Sequence, residues 1–344
     1  MKSIKPVSIR PLLLGESVVF LGQENMNCLI TQDGLVELIS QLVYYKEEGK
    51  SLHPEIYIFD EMHMVQKVLP LSQFCTIGEG AKTKETMLIA LKKCAPLTEG
   101  GWAIYILRKV DTFQYGVFKA GSTILSVSIS ETLIDAGTDE LKAILIHQVA
   151  ERLIEVKGVT ADSLIISFGS QDGSRKSPLE NQEKFINAIL KDVKPDLKEQ
   201  AKNFFKKLFL EVLQKGHGTL ACVINSKKKE LPKKLSDGIT LPVKIDVVKT
   251  ISDLLEQNDL QANSVLEGQF SLISGMMQSD GITVFKSNGT VVAYNVFVKH
   301  PEKVLKTSTS GGARSRTFIT ISELIGSGIE AAYLQSQDGN IEVN

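Results

Sequence analysis

The sequence predicts an α/β protein of two domains, and three observations lead to that prediction. The chain has 344 residues, which is room for two domains of ordinary size. Short apolar runs typical of strands alternate with segments whose apolar residues recur at helical spacing. A small, polar stretch, GSQDGSRKSP at residues 169–178, has the composition of a linker. We therefore expect an N-terminal α/β or α+β domain at residues 1–168, a linker at 169–178 and a C-terminal α/β domain at 179–344.

Composition narrows the class of protein. An apolar fraction of 43% is normal for packed domains, and a net charge of −1 argues against bulk electrostatic binding to nucleic acid or membrane. No apolar run reaches the ~18 residues of a membrane-spanning helix, and the N-terminus lacks a signal-peptide core. Four cysteines lie far apart without a Cys-x-x-Cys motif, which is typical of reduced cysteines in a cytosolic protein. These observations predict a cytoplasmic protein without a membrane span.

The N-terminal half alternates predicted strands with predicted helices. Helices are expected at residues 33–45, 84–94 and 138–157, the last ending at Gly158. Strands are expected at residues 54–60, 100–109 and 162–168, and short strands and turns at residues 1–30. Residues 115–119 and 123–130 are predicted to form an antiparallel hairpin around Ala120-Gly121.

Two polar groups in this half have alternative interpretations. Asp60 and Glu61, with His63 nearby, suit either a metal-ligand cluster or a polar loop that follows a strand. No second ligand set has a recognisable spacing, which favours the loop. His147 and Glu151 are four residues apart in the predicted helix, as half of a zinc site or as exposed neighbours.

The C-terminal half begins with predicted helices at residues 184–190 and 196–215, the second with a phenylalanine-rich stripe and a C-cap at Gly216. Residues 217–224 are predicted as a central strand, whose first residue, His217, suits a capping, surface or ligand-binding role. Asp246 is a predicted N-cap. A further helix is expected at residues 265–277, and final strands at 331–334 and 341–343 around an Asp338-Gly339 turn. The basic run at residues 226–234 lacks interleaved aromatic residues, which favours a solvated loop over a nucleic-acid patch.

The stretch at residues 278–317 contains the candidate site. A turn, Ser279-Asp280-Gly281, precedes two predicted strands at residues 282–285 and 291–294, which are joined through the hairpin turn Asn288-Gly289. A polar loop at residues 306–312 then leads to Arg314-Ser315-Arg316-Thr317. A carboxylate and two guanidinium groups are what a metal-bound triphosphate requires. By themselves, Asp-Gly is also a common turn and Arg-x-Arg a common solvated pair.

The order of these motifs resembles the nucleotide-cyclising domain of the diadenylate cyclase family. That family has Asp-Gly-Ala and Arg-His-Arg motifs, which stand here as Asp280-Gly281-Ile282 and Arg314-Ser315-Arg316. Gly218-Thr219-Leu220, Ile321-Ser322-Glu323 and the segment QSQDGNI at residues 335–341 match further, so that the resemblance covers residues 184–344. This chain differs from the family in four residues, namely Ile282 for Ala, Ser315 for His, Ala313 for Thr and Gln337 for Glu.

The resemblance implies a mixed sheet flanked by helices, with the arginines at the start of a helix, although residues 318–321 look extended by propensity. It implies that two such domains meet face to face and condense two ATP molecules into the second messenger cyclic di-AMP, with Mn²⁺ or Mg²⁺. Asp280 would bind the metal or activate the 3′-hydroxyl, and Arg314 and Arg316 would hold the triphosphate. The other ATP-binding positions would be Gly281, Ile282, Phe297, Ser315, Thr317, Ser336 and Gln337.

The resemblance also implies that the N-terminal domain senses a ligand and regulates the cyclase, and that the chain belongs with the family's soluble members. No specific binding of nucleic acid is expected. The four differing residues leave a second interpretation open, in which the chain is a catalytically inactive nucleotide-binding receptor that retains the pocket.

Overall fold

The computed structural model describes residues 9–120, 123–138, 140–168, 178–235, 237–257, 260–298, 312–337 and 339–344. The chain divides into two compact units, which are Met1–Thr123 with Val127–Ser170 (the N-terminal unit) and Ile124–Ser126 with Gln171–Asn344 (the C-terminal unit). Both units combine sheets with helices, which confirms the predicted α/β class. Most of the predicted linker, residues 169–177, lies outside the described residues.

The described helices and strands are as follows. The helices are α1 (Arg10–Gln23), α2 (Leu29–Leu42), α3 (Met62–Val68), α4 (Lys84–Cys94), α5 (Pro178–Ile189), α6 (Pro195–Gln214), α7 (Val247–Gln257), α8 (Leu260–Gln278) and α9 (Ala313–Ser322). The strands of the N-terminal unit are β1 (Lys46–Glu47), β2 (Lys50–Ser51), β3 (Ile56–Phe59), β4 (Gln73–Ala81), β5 (Ala103–Arg108), β6 (Thr112–Lys119), β7 (Ala143–Ala150), β8 (Leu153–Gly158) and β9 (Leu164–Ser167). Those of the C-terminal unit are β10 (Thr219–Ile224), β11 (Asp237–Asp246), β12 (Ile282–Lys286), β13 (Thr290–Phe297), β14 (Ile329–Gln335) and β15 (Ile341–Val343).

The N-terminal unit is built on a seven-stranded sheet in the order β4-β6-β5-β3-β7-β8-β9, in which β3 and β5 are parallel. Strands β3, β5 and β7 are buried almost throughout, which explains their continuous apolar runs. One face of the sheet packs its isoleucines against apolar residues of α1, α2 and α4. The other face carries stacked and edge-to-face aromatic rings from Tyr57, Phe59, Tyr105 and Phe118.

The prediction of strands and turns within residues 1–30 was wrong, because α1 occupies residues 10–23. Its buried residues, Leu13, Ser17, Phe20 and Leu21, recur at helical spacing and face the core shared with α2. Two glycines and a Val-Val pair in this segment lower its helix propensity, so the sequence did not indicate a helix. They do not prevent the buried face of α1 from packing.

The predicted helix at residues 138–157 was also wrong, because this segment forms the antiparallel strands β7 and β8. The turn between them uses Glu151 and Arg152, the latter at φ +60°, instead of the glycine or asparagine that signals a hairpin. The predicted pairing of residues 115–119 with 123–130 was wrong as well. The first of these segments lies in β6, which pairs with β4 and β5, and no strand occurs within the described residues 123–130.

Other predictions for this unit were confirmed. Helix α4 has its expected bounds, and helix α2 and strands β3, β5 and β9 lie within four residues of theirs. Helix α4 begins as a capped helix should, because the Thr83 hydroxyl accepts a hydrogen bond from the Thr86 amide.

The C-terminal unit has a six-stranded mixed sheet in the order β11-β13-β12-β10-β14-β15. The central strands β10 and β12 are parallel, and each has an antiparallel neighbour on its other side. Helix α9 packs Phe318 and Ile321 on one face of the sheet. The other face meets helices α5 and α6 through a cluster of aromatic rings, formed by Phe185, Phe205, Phe209, Phe285 and Tyr333. Helix α8 contacts strands β10, β12 and β13.

The predicted helices of this unit were confirmed, as were the strands around residues 217–224, 282–285, 291–294, 331–334 and 341–343. Asp246 caps α7, because its Oδ1 accepts from the Lys249 amide at 3.0 Å. The sequence did not predict β11, an exposed edge strand that tolerates Pro242 at a register shift. Asp338 of the predicted final turn lies outside the described residues.

No helix among the residues that the structure describes is both long and apolar enough to cross a membrane.

Candidate functional site: one edge of the C-terminal sheet

The topology of the C-terminal sheet gathers the predicted site at one edge. Because β10 and β12 are parallel, with Leu220 opposite Ile282, both strands begin at this edge. Their antiparallel neighbours end there, since Val296 of β13 lies opposite Ile282 and Gln335 of β14 lies opposite Thr219. The edge therefore combines the residues before β10 and β12 with those that follow β13 and β14.

Asp280 stands in a turn whose shape depends on glycine. Gly281 has φ +86°, and a Cβ there would lie 2.7 Å from the Asn295 carbonyl carbon. Asn295 on β13 itself has φ +51°, and its backbone leaves no space for a side chain at position 281. The turn presents the Asp280 side chain to solvent, with 80% of it exposed.

The end of α8 is tied to both parallel strands. Thr219 on β10 donates its hydroxyl hydrogen to the carbonyl of Met277 at 2.9 Å, and Thr283 on β12 donates to that of Met276 at 3.2 Å. Because both threonines are buried, these bonds fix the position at which α8 ends and the turn with Asp280 begins.

Arg314 is the centre of the site. Its Nη2 lies 3.2 Å from Asp280 Oδ1 and 3.2 Å from His217 Nε2. Its guanidinium lies over Gly218, where a Cβ would be 3.0 Å from Nη1 and 3.2 Å from Cδ. Residues 217, 280 and 314, far apart in sequence, are thus brought into one cluster of an imidazole, a carboxylate and a guanidinium.

Arg314 is placed by the first turn of α9. The structure resolves the sequence ambiguity after Arg316, because the segment is helical as the resemblance implied. Gly312 is the N-cap and has no side chain that could accept a hydrogen bond from the first amides of α9. The amides of a first helical turn and the helix dipole favour an anion at this end. Of the predicted loop at residues 306–312, only Gly312 is described.

The other predicted residues of α9 point in several directions. Successive helical residues are about 100° apart, so Arg316 leaves the helix about 200° around from Arg314. The Thr317 hydroxyl donates to the Ala313 carbonyl at 3.1 Å, one turn back. Ser315 is half-buried in the same turn.

The predicted residues on the strands share the edge but differ in exposure. Phe297, at the end of β13, has 48% of its surface exposed, as a base-stacking ring requires. Ile282 is fully buried, so its side chain belongs to the core and its backbone alone lies at the edge. The Ser336 hydroxyl is engaged within its own turn, where it accepts from the Asn340 amide at 3.0 Å, and Gln337 is exposed.

A metal ion at this edge would have Asp280 as its protein ligand. Among the described residues, no group of three or more His, Cys, Asp or Glu side chains could hold a metal ion. Mg²⁺, however, commonly binds through one or two carboxylates together with substrate phosphates. A single exposed carboxylate beside a guanidinium fits a cation that arrives with a triphosphate.

The two polar groups of the N-terminal half make other side-chain contacts in the described part of the chain. Asp60 accepts two hydrogen bonds from Arg108, at 2.6 and 3.0 Å, while His63 lies exposed beside Glu61. His147 pairs across the strands with Glu155 at 2.8 Å and not with Glu151, because the segment is a hairpin. Burial raises the pKa of Glu155, but the hydrogen bond and charge of His147 outweigh it, so the pKa lies below its ordinary value.

His217 is the residue of the candidate site for which the sequence left several roles open. The signal that it carried was its position, directly before a glycine and a buried strand. The sequence could not show which side chain contacts His217. Arg314 lies 97 residues further along the chain, on a helix whose position depends on the fold.

Comparisons of the chain with models of protein families, with curated proteins and with solved structures each find no match. The likeness to diadenylate cyclases therefore rests on the ordered motifs and on the chemistry of this edge.

Proposed function

We propose that the chain is a diadenylate cyclase, which condenses two ATP molecules into cyclic di-AMP and two pyrophosphates. The observation that carries the proposal is the cluster of Asp280, Arg314 and His217 at the start of two parallel strands. It stands beside the N-terminus of α9, whose N-cap residue, Gly312, has no capping side chain. A carboxylate, a guanidinium and the amides of a helix N-terminus are groups that hold and polarise a triphosphate.

In this proposal each 3′-hydroxyl attacks the α-phosphorus of the other ATP. One P–O bond forms, the bond to the β-phosphate breaks, and pyrophosphate leaves while the hydroxyl proton passes to a base. Arg314 offsets the negative charge that grows on the phosphates, and the α9 amides orient them. Phe297 offers its exposed ring to the adenine, and Gly281 lets the backbone approach the nucleotide.

Asp280 has two candidate roles, as ligand of the metal or as acceptor of the 3′-hydroxyl proton. Bound Mg²⁺ or Mn²⁺ supplies charge neutralisation at the phosphates. Because each site holds one ATP, the reaction needs two copies of the C-terminal unit facing each other. The protein would therefore self-associate, with the N-terminal unit regulating a cytoplasmic enzyme.

The second candidate function is a nucleotide-binding receptor without turnover. Two observations favour it, namely that Arg314 already engages the Asp280 carboxylate and that Ser315 occupies the position of the family's central histidine. Such a receptor would bind ATP or cyclic di-AMP at the same edge and release no pyrophosphate.

Incubation of the purified protein with ATP and Mn²⁺ or Mg²⁺ tests the proposal, with the products resolved by chromatography. We expect cyclic di-AMP from the wild type and none from Asp280→Asn, because the amide has lost the charge. Asp111→Asn, at an exposed turn of the N-terminal unit, is the matched control and should keep full turnover. Binding of ATP without product would favour the receptor, and unchanged turnover in Asp280→Asn would refute the assignment of that residue.

A further inference from the structure

His217 has a defined place beside Arg314. Its backbone carbonyl accepts from Gln335 Nε2 at 2.9 Å, and the same amide nitrogen lies 3.2 Å from the Val212 carbonyl. The Gln335 side chain is buried, and its Oε1 accepts from the buried Tyr333 hydroxyl at 3.0 Å. The backbone that carries the imidazole is thus held by a satisfied, buried network.

The direction of the hydrogen bond between His217 and Arg314 follows from chemistry. A guanidinium has donors and no acceptor, so the Nε2 that lies 3.2 Å from Arg314 Nη2 must accept. An imidazole whose Nε2 accepts is neutral and carries its hydrogen on Nδ1. The adjacent Gly218 leaves space for the guanidinium, since a side chain there would meet Nη1, Cδ and Cζ within 3.3 Å.

We infer that His217 is a positioning residue, which with Gly218 seats the Arg314 guanidinium at the edge of the sheet. Asp280 is the other acceptor of the same nitrogen, at 3.2 Å. When Asp280 turns to a cation or a hydroxyl, Arg314 loses that acceptor, and His217 keeps the guanidinium in place to meet phosphate. The effect of His217 on nucleotide binding rests on the proposed function, whereas its contact with Arg314 is a property of the free protein.

The tautomer of His217 tests its hydrogen bond with Arg314 without any nucleotide. Long-range ¹H–¹⁵N correlation spectra of the full chain distinguish the two neutral tautomers, and the signals of His217 among the five histidines are those lost in His217→Gln. We expect the Nδ1–H tautomer in the wild type and a shift of the Nε2 resonance in Arg314→Ala, but not in Arg316→Ala. The Nε2–H tautomer, or a spectrum that Arg314→Ala leaves unchanged, would overturn the inference.

Nucleotide affinity tests the consequence, through calorimetric titration with a non-hydrolysable ATP analogue in the presence of Mg²⁺. His217→Ala should weaken binding about tenfold, whereas His217→Gln, which keeps an acceptor near the Nε2 position, should stay within about threefold of the wild type. His63→Ala is the control, since that ring is 74% exposed in the N-terminal unit. Wild-type affinity in His217→Ala would overturn the positioning role.

Substitution of Gly218 gives an independent test of the same binding. Gly218→Ala should weaken binding, though less than His217→Ala, because the methyl group would lie 3.0 Å from Arg314 Nη1 and force the guanidinium to shift. Gly268→Ala, in α8 with nothing within 4 Å of the new methyl, should leave it unchanged. If the wild type bound no analogue at all, the proposed function would fail, and the tautomer experiment would still decide whether His217 seats Arg314.

Discussion

At the scale of single residues, the two arginines are not equivalent. Spacing in sequence suggested that Arg314 and Arg316 reach one triphosphate together. The helical first turn of α9 separates their directions by about 200°. In the described part of the chain, the Arg314 side chain lies within hydrogen-bond distance of both Asp280 and His217. For the proposed function we therefore expect Arg314 to be the principal phosphate contact and Arg316 to assist from another side of the helix end.

Arginine substitutions should show this difference. Arg314→Ala should weaken binding of an ATP analogue by roughly ten- to a hundred-fold, because a charge-assisted phosphate contact contributes about 1.5–3 kcal/mol. Arg316→Ala should cost less, and Arg314→Lys should recover part of the affinity, since lysine keeps the charge but loses the planar fork. Calorimetric titration measures all three. Wild-type affinity in both alanine variants would contradict the proposal that these arginines bind the triphosphate.

At the scale of elements, the hairpin of β7 and β8 holds a buried ionisable pair. His147 and Glu155 lie opposite each other, and 5% and 3% of their surfaces are exposed. The pKa of the Glu155 carboxyl is below its ordinary value, mainly because His147 outweighs the effect of burial. An acid with a lowered folded-state pKa stabilises the fold above its unfolded-state pKa, and that contribution is lost as the pH falls through the lowered value.

Glu155→Gln should therefore make the unfolding of the N-terminal unit less dependent on acid pH. At pH 7 the variant should lose roughly 1.5–3 kcal/mol of unfolding free energy, which is typical of a hydrogen bond to a charged group. That difference should shrink as the pH falls below about 4. The chain's single tryptophan, Trp102, packs against the core of this unit and reports its unfolding in urea.

Glu151→Gln is the matched control for that experiment. Glu151 is the residue that a helical segment would have placed against His147, but its side chain is 53% exposed. It should leave both the unfolding free energy and its pH dependence unchanged. A larger effect at Glu151 than at Glu155 would contradict the hairpin.

The same hairpin shows where prediction from sequence ends. Helical periodicity predicted amphipathic helices such as α6. The Asn-Gly turn predicted the strands that it joins, β12 and β13. A strand buried on both faces, such as β7, has no alternation, and Glu151-Arg152 has no turn signal. The candidate site was predicted through Asp280 and Arg314, whereas His217 required the fold, because parallel pairing of β10 and β12 brings its neighbours together.

At the scale of the whole molecule, the C-terminal unit contains all residues of the candidate site. It also includes a short segment from the N-terminal half of the chain, Ile124–Ser126. Within this unit the buried Asn203 side chain donates to the Leu125 carbonyl at 3.0 Å. A fragment that begins at Pro178 keeps the sheet and helices α5 to α9 but loses this acceptor.

We predict that residues 178–344 fold alone and bind an ATP analogue as the full chain does, with a lower unfolding free energy. Leaving the Asn203 amide without its acceptor should cost about 1–3 kcal/mol, measured by urea unfolding followed by circular dichroism. Asn203→Leu in the fragment should recover part of this loss, since it removes the polar group that lost its partner. The composition of residues 169–177 predicts that limited proteolysis of the full chain cuts there.

Turnover by the fragment then tests regulation. If the N-terminal unit controls the cyclase, the rate of cyclic di-AMP formation should differ between the fragment and the full chain at equal affinity for the ATP analogue. Equal rates would leave the N-terminal unit without a regulatory role. An insoluble fragment, with cleavage of the full chain elsewhere than residues 169–177, would show that the C-terminal unit needs more of the chain than residues 178–344.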